Sequence, residues 1–147
     1  MKYATLALFL SFNLSQAADD AASKKLLAEI EGVYTIAAAE RAGSAPPGNF
    51  LEEIQQVAIK DGKLTITFKI EGKAEEKSAA IAVNAGTKPM QIDMSPEKDK
   101  TIPGILQPDG ETLKVCWNDT ADGKRPTAFT TSKEDKNFYL LLKRMKK

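Results

Sequence analysis

The chain has 147 residues, with 21 lysines and arginines against 20 aspartates and glutamates, no histidine and one cysteine. A net charge this close to zero gives no electrostatic case for nucleic acid or an anionic membrane as the main partner. The lack of histidine excludes Ser/His and Cys/His triads, the common zinc sites and the usual neutral-pH proton shuttle, and one thiol makes no internal disulfide.

Residues 1–17 read as an export signal. Lys2 is a short basic n-region, and Tyr3 to Leu14 is an apolar h-region broken only by Thr5, Ser11 and Asn13. Ser15-Gln16-Ala17 then offers small residues at the two positions that a signal peptidase reads. Cleavage is expected after Ala17, with Ala18 as the next choice; a buried N-terminal helix or an uncleaved anchor is the alternative. The h-region falls short of the roughly 20 apolar residues that span a bilayer, so no transmembrane segment is expected in the mature chain. No cysteine lies near the cleavage point to carry a diacylglyceryl anchor. Residues 18–147 then form one domain of about 130 residues, long enough to bury about two thirds of its unfolded surface without staples. Loss of the leader removes Lys2 and leaves 20 basic against 20 acidic residues, so the expected location is periplasmic or extracellular.

Asp20 to Glu31 predicts one short helix. Asp19 or Asp20 can cap it, Leu26, Leu27 and Ile30 share a face, and Gly32 is placed to end it. Val33 to Ala39 reads as the first strand. Ser44 to Asn49, with two prolines and a glycine, is a loop, followed by one helical turn at Phe50, Leu51 and Ile54. Val57 and Ile59 alternate with polar residues up to Asp61-Gly62, a two-residue turn in which both positions tolerate positive φ. Leu64, Ile66, Phe68 and Ile70 continue at a period of two, with one face buried and one wet. Glu71-Gly72 makes a second tight turn, and Ala79, Ile81 and Val83 carry the apolar side onward. Ala85 to Pro89 breaks the chain.

Ile92 and Met94 share the next apolar face. Ser95 to Lys100 is a charged connection, and Pro103-Gly104 within Thr101 to Leu106 signals a bulge or an edge. Pro108 to Glu111 is a hairpin turn. Leu113, Val115 and Trp117 point one way, with Lys114 and Cys116 opposite. Asn118 to Pro126 is a polar loop, Phe129 lies in a threonine-rich strand, and Phe138, Leu140 and Leu142 complete the core face. Eight or nine consecutive strands with short turns predict an all-β antiparallel up-and-down meander that closes into a barrel of about eight strands, with the short N-terminal helix attached.

Phe68, Val115, Trp117, Phe129 and Phe138 are the candidates to line a pocket inside such a barrel. They equally suit a filled interior, because alternation reports which face is inside and not whether the inside is full. Alternation turns Cys116 outward; without a second cysteine or a histidine beside it, it reads as a quiet strand residue covered by a neighbouring loop. Asp93, Glu97, Asp99 and Asp109 lack the spacing of a calcium loop and read as solvated turn acids. Glu52-Glu53 and Glu75-Glu76 are adjacent pairs that point apart on a strand. Asn118-Asp119-Thr120 matches the glycosylation pattern, which arises often by chance. Ser44, Ser78, Ser95 and Ser132 lack any nucleophile context. Lys143, Arg144, Lys146 and Lys147 read as a solvated basic tail.

Several pieces in order resemble a planctomycete-type extracytoplasmic domain family of unknown function, described as lipocalin-like. They are Lys88-Pro89-Met90-Gln91-Ile92-Asp93, Ile102-Pro103-Gly104-Ile105, Leu113-Lys114-Val115-Cys116, Arg125-Pro126-Thr127-Ala128-Phe129 and Leu140-Leu141-Leu142-Lys143-Arg144. The family also opens with a helix leading into a Gly-x-Trp strand; here that strand reads Gly32-Val33-Tyr34, with tyrosine in place of tryptophan. The resemblance implies a lipocalin-like barrel whose bottom is closed by Arg144 over Tyr34. It implies no particular ligand, since fold does not fix function.

The expectation is an exported, non-enzymatic binding module for a small apolar or amphipathic ligand, needing no cofactor or metal. The alternative is a structural or interaction protein of the cell envelope, with a filled barrel and a protein partner on its surface.

Overall fold

The computed structural model describes residues 21–44, 53–118, 123–135 and 137–145. The expected leader, the loop from Ala45 to Asn49, and Phe50 and Leu51 lie outside them. A short helix, α1, covers residues 21–29. Eight strands follow among the described residues: β1 (Gly32–Arg41), β2 (Ile54–Lys60), β3 (Lys63–Ile70), β4 (Lys73–Asn84), β5 (Met90–Glu97), β6 (Lys100–Asp109), β7 (Thr112–Asn118) and β8 (Asn137–Arg144). Each pairs antiparallel with its sequence neighbours, and β8 returns to β1 and closes the barrel. The expected up-and-down meander of about eight strands with one short helix is the fold.

The tight turns follow their sequence chemistry. Asp61 and Gly62 have φ of 52° and 73°, and Glu71 and Gly72 have 52° and 81°. Positive φ at both central residues matches the twist of the strands that each turn joins. Period-two alternation then sends Tyr34, Val57, Leu64, Ile92, Leu113 and Leu142 into one shared core.

The barrel has two unlike ends. At one end, which carries the Asp61-Gly62 and Gly110-Glu111 turns, α1 lies across the opening and buries Leu26 and Ile30 in the core. The Ala85 amide donates to Ser23 Oγ at 3.1 Å, and the Asp61 amide donates to Glu31 Oε1 at 3.3 Å, tying the helix to two turns. At the other end the wall formed by the described residues is incomplete. β4 pairs with the whole of β3 through Lys73 to Ala80, but meets β5 only from Ala80 to Asn84. Lys73 to Ala79 therefore form a strand edge facing a seam between β4 and β5.

Several expectations are corrected. Gly32 does not end the helix in a left-handed cap; it is the first residue of β1, paired with Ile59. Its φ is +153°, and a Cβ there would lie 3.0 Å from an Arg144 guanidinium nitrogen, so glycine serves a close approach. Ile54 opens β2 and is not part of a helical turn. The Ser95 to Lys100 connection shrinks to Lys98 and Asp99, because β5 runs to Glu97 with a bulge after Met94. Pro103 and Gly104 are neither a bulge nor a sheet edge: they pair in register with Asp93 and Ile92. The β6–β7 ladder ends at Gly104 opposite Trp117, so the missing Pro103 amide falls just past the last paired residue. Thr127 to Thr131 form no strand. β7 and β8, which flank the segment in sequence, pair with each other and with β6 and β1, so neither offers it an edge, and the segment lies over the outer wall.

Candidate functional site

The interior is not fully packed. A cavity of about 260 Å³ occupies the lumen and is lined from seven of the eight strands, β2 to β8. Its walls are the apolar side chains that alternation turns inward, among them Val57, Ile66, Met94, Ile102, Val115 and Leu140. It reaches solvent at the seam, where Lys77, Ser78 and Pro96 border it and are all exposed.

Of the candidate lining residues, Val115 and Trp117 border this cavity. Phe138 does not. It is the cross-strand partner of Trp117 and stacks on the indole, with ring centroids 4.8 Å apart and planes 16° apart, so it backs the tryptophan and fixes its pose. Phe68 sits nearer the open end of β3, half-buried and off the lining, with the Lys77 ammonium 5.8 Å from its ring centre. Phe129 belongs to the outer segment and has no place in the lumen.

Lys77 escaped notice in the sequence, where it reads as one charge in a polar run. The signal was present in its phase: Lys77 keeps step with Ala79, Ile81 and Val83, the inward side of β4. Among the described residues no carboxylate oxygen lies within 4.0 Å of its ammonium; the ion pair found there joins Arg125 and Asp93.

At the closed end, Arg144 lies over the Tyr34 ring, 5.2 Å from its centre. Its guanidinium donates to the Glu31 carbonyl at 2.8 Å, to the Glu29 carbonyl at 2.8 Å and to the Tyr34 hydroxyl at 3.0 Å. Tyr34 in turn donates to the Ile30 carbonyl at 2.7 Å. The last carbonyls around the helix C-terminus are thus capped by side chains of the barrel. Burial raises the Tyr34 pKa, and the neighbouring Arg144 charge partly offsets this. Arg144 is therefore a latch, not part of a solvated tail. A shallow depression of about 870 Å³ lies outside this end, bordered by Val33, Lys60, Glu111 and Arg144; its arginine is already engaged within the chain.

Cys116 faces the outer wall, as alternation requires, but is fully buried beneath the outer segment, with Sγ 3.8 Å from the Thr130 carbonyl. Burial pushes its thiol up to about 11, and the Asp135 carboxylate adds to the effect. Such a thiol is a poor nucleophile. Asn118 is the last residue of β7 and not a loop residue; it is buried and its amide donates to the Asp135 carbonyl at 2.9 Å and to Asn137 Oδ1 at 3.2 Å. Asp93 is held by Arg125 at 2.7 Å, Glu97 and Asp99 sit at the open end, and Asp109 sits at the closed end. Among the described residues no three metal-ligating side chains of the His, Cys, Asp and Glu types converge, and no helix is long and apolar enough to cross a membrane.

The chain matches no protein-family model, no curated protein and no solved structure at significant similarity.

Proposed function

We propose that this protein is an exported, non-enzymatic binder of a small lipophilic ligand, held in the barrel lumen. The observation that carries this reading is the apolar cavity of about 260 Å³ behind the β4–β5 seam. It lies just under the roughly 300–1,000 Å³ of pockets for drug-sized ligands, which suits a single short chain better than a fused-ring compound. Binding would draw on burial of apolar area at roughly 25 cal/mol per Å². The resemblance to a lipocalin-like extracytoplasmic family is in keeping with this reading, as is the leader expected ahead of Ala18.

Trp117 is the chain's one tryptophan and borders the cavity, so its fluorescence reports occupancy directly. Titration with 1-octanol should shift its emission and saturate, and native mass spectrometry should show one ligand per chain. Ala79→Phe, which fills the lumen from the seam side, should abolish the shift. An unchanged emission spectrum and bare protein with every short-chain ligand would overturn the proposal. Export is checked separately: N-terminal sequencing of the secreted protein should begin at Ala18.

A further inference from the structure

We infer that the ligand is a single-chain amphiphile with an anionic head such as a carboxylate, its tail in the lumen and its head at the β4–β5 seam against Lys77. This rests on the lumen-binding reading and adds to it the chemistry of the head group. Three observations converge on it. Among the described residues Lys77 is the one charged side chain bordering a cavity whose other walls are almost entirely apolar. Its ammonium has no carboxylate partner among the described residues and rests near the face of Phe68 at 5.8 Å. The seam also supplies a backbone donor. The Ile81 amide points toward β3, where it donates to the Gly62 carbonyl at 2.8 Å. The β3–β4 register runs without a shift from Lys73 to Ala80, so alternation turns the Ser78 amide the other way, toward β5. No β5 residue pairs there, because the ladder stops at Ala80 opposite Ser95 and Pro96 follows. One ammonium and one backbone N–H thus flank the mouth of an apolar chamber. That is a site for an anionic head, since a carboxylate or other oxyanion accepts hydrogen bonds and gains from a cation. A cationic head would be repelled, and an alcohol would use the amide alone.

Protection of an unpaired edge by charge accounts for the run Lys73, Glu75, Glu76 and Lys77 as a group. It does not single out Lys77, and this separates the two explanations. Lys73 lies on the same edge and in the same phase, but does not border the cavity.

The test uses octanoate, 1-octanol and octylammonium, whose shared chain matches a cavity that holds roughly eight or nine water-sized groups at about 30 Å³ each. Dissociation constants are read from Trp117 fluorescence at pH 7 and low salt. Octanoate should bind about three- to fivefold tighter than 1-octanol, the scale of an exposed ion pair, and octylammonium weakest of the three. The octanoate advantage should shrink in high salt. Lys77→Gln should bring octanoate down to the octanol value and leave octanol unchanged, Lys77→Glu should place octanoate below octanol, and Lys73→Gln should change neither. Sodium octyl sulfate, run beside octanoate, should show the same loss on Lys77→Gln; an alkyl sulfate indifferent to that substitution would overturn the anion site. If octanol binds but octanoate gains nothing from Lys77, the head-group inference fails and the lumen reading stands. If none of the ligands binds, both fail.

Discussion

Two side chains decide how the closed end holds. Tyr34 and Arg144 meet across the β1–β8 ladder and together satisfy the carbonyls of Glu29, Ile30 and Glu31. Tyr34→Phe removes the donor to Ile30 and the acceptor for Arg144, and should cost about 1–2 kcal/mol in urea unfolding. Arg144→Lys keeps the charge but loses the planar fork that reaches two carbonyls, with an expected cost of about 1–3 kcal/mol. The double variant should lose less than the sum, since both act on one network. Cys116 gives a pH signature. Its thiol is raised from 9.0 to about 11 by burial. Between those values the unfolded chain has released the proton while the folded chain still holds it, so the unfolded state binds fewer protons and stability falls as pH rises. The contribution is complete below pH 9 and gone above pH 11. Tyr34 and Tyr139 are also raised by burial and fall away in the same direction. Cys116→Ala should therefore show a shallower decline of Tm across this window than the parent, and the difference belongs to the thiol.

Strands and the segment outside them depend on one another through few contacts. The stretch that covers Cys116 is pinned at one end by Arg125, which donates to the Gly104 carbonyl at 2.8 Å, to the Ile92 carbonyl at 3.2 Å and to Asp93 at 2.7 Å, and at the other by Thr131, whose hydroxyl donates to Glu40 Oε1 at 3.1 Å and accepts from the Gly43 amide at 2.9 Å. Arg125→Ala should free that stretch and expose the thiol, so the rate of labelling by a disulfide reagent should rise well above the parent's while far-UV circular dichroism stays the same. Gly104 allows β6 and β7 to lie close: a Cβ there would fall 2.9 Å from the Cys116 carbonyl oxygen and 3.1 Å from Trp117 Cβ. Gly104→Ala should cost about 1–3 kcal/mol, because the clash is with backbone that cannot swing aside. These elements also show what was legible in advance. The β2–β3 hairpin was, because strict alternation and Asp61-Gly62 agree on register and turn. Pro103-Gly104 was misread because proline and glycine report local backbone tolerance, whereas the place where a ladder stops depends on the neighbouring strand. Thr127 to Thr131 looked like a strand by composition, yet a strand needs a free partner within reach, and β7 and β8 on either side of it are already paired on both edges.

At the scale of the whole molecule, the described residues form a barrel plugged by a helix at one end, with a seam between β4 and β5 at the other. The pattern of inward residues was readable, and with it Val115 and Trp117 as lumen neighbours; the hollow was not, since its volume depends on how eight strands tilt and how far β4 outruns β5. Lys77 illustrates the point, because its inward phase carries meaning only once the wall beside it is known to be open. The plug is part of the same core as the barrel: Leu26 and Ile30 are buried among strand residues, with Ile30 at 1% exposure. Ile30→Ala should thus destabilise the entire domain by about 2–4 kcal/mol and not merely fray the helix. The check is coincidence of two probes in urea, Trp117 fluorescence inside the barrel and far-UV circular dichroism over all elements. A common midpoint shifted to lower urea, with the slope unchanged, is expected of one cooperative unit. An early dichroism change with the Trp117 midpoint unmoved would mean that the helix is an independent cap, and the closed end would then owe its integrity to the strands alone.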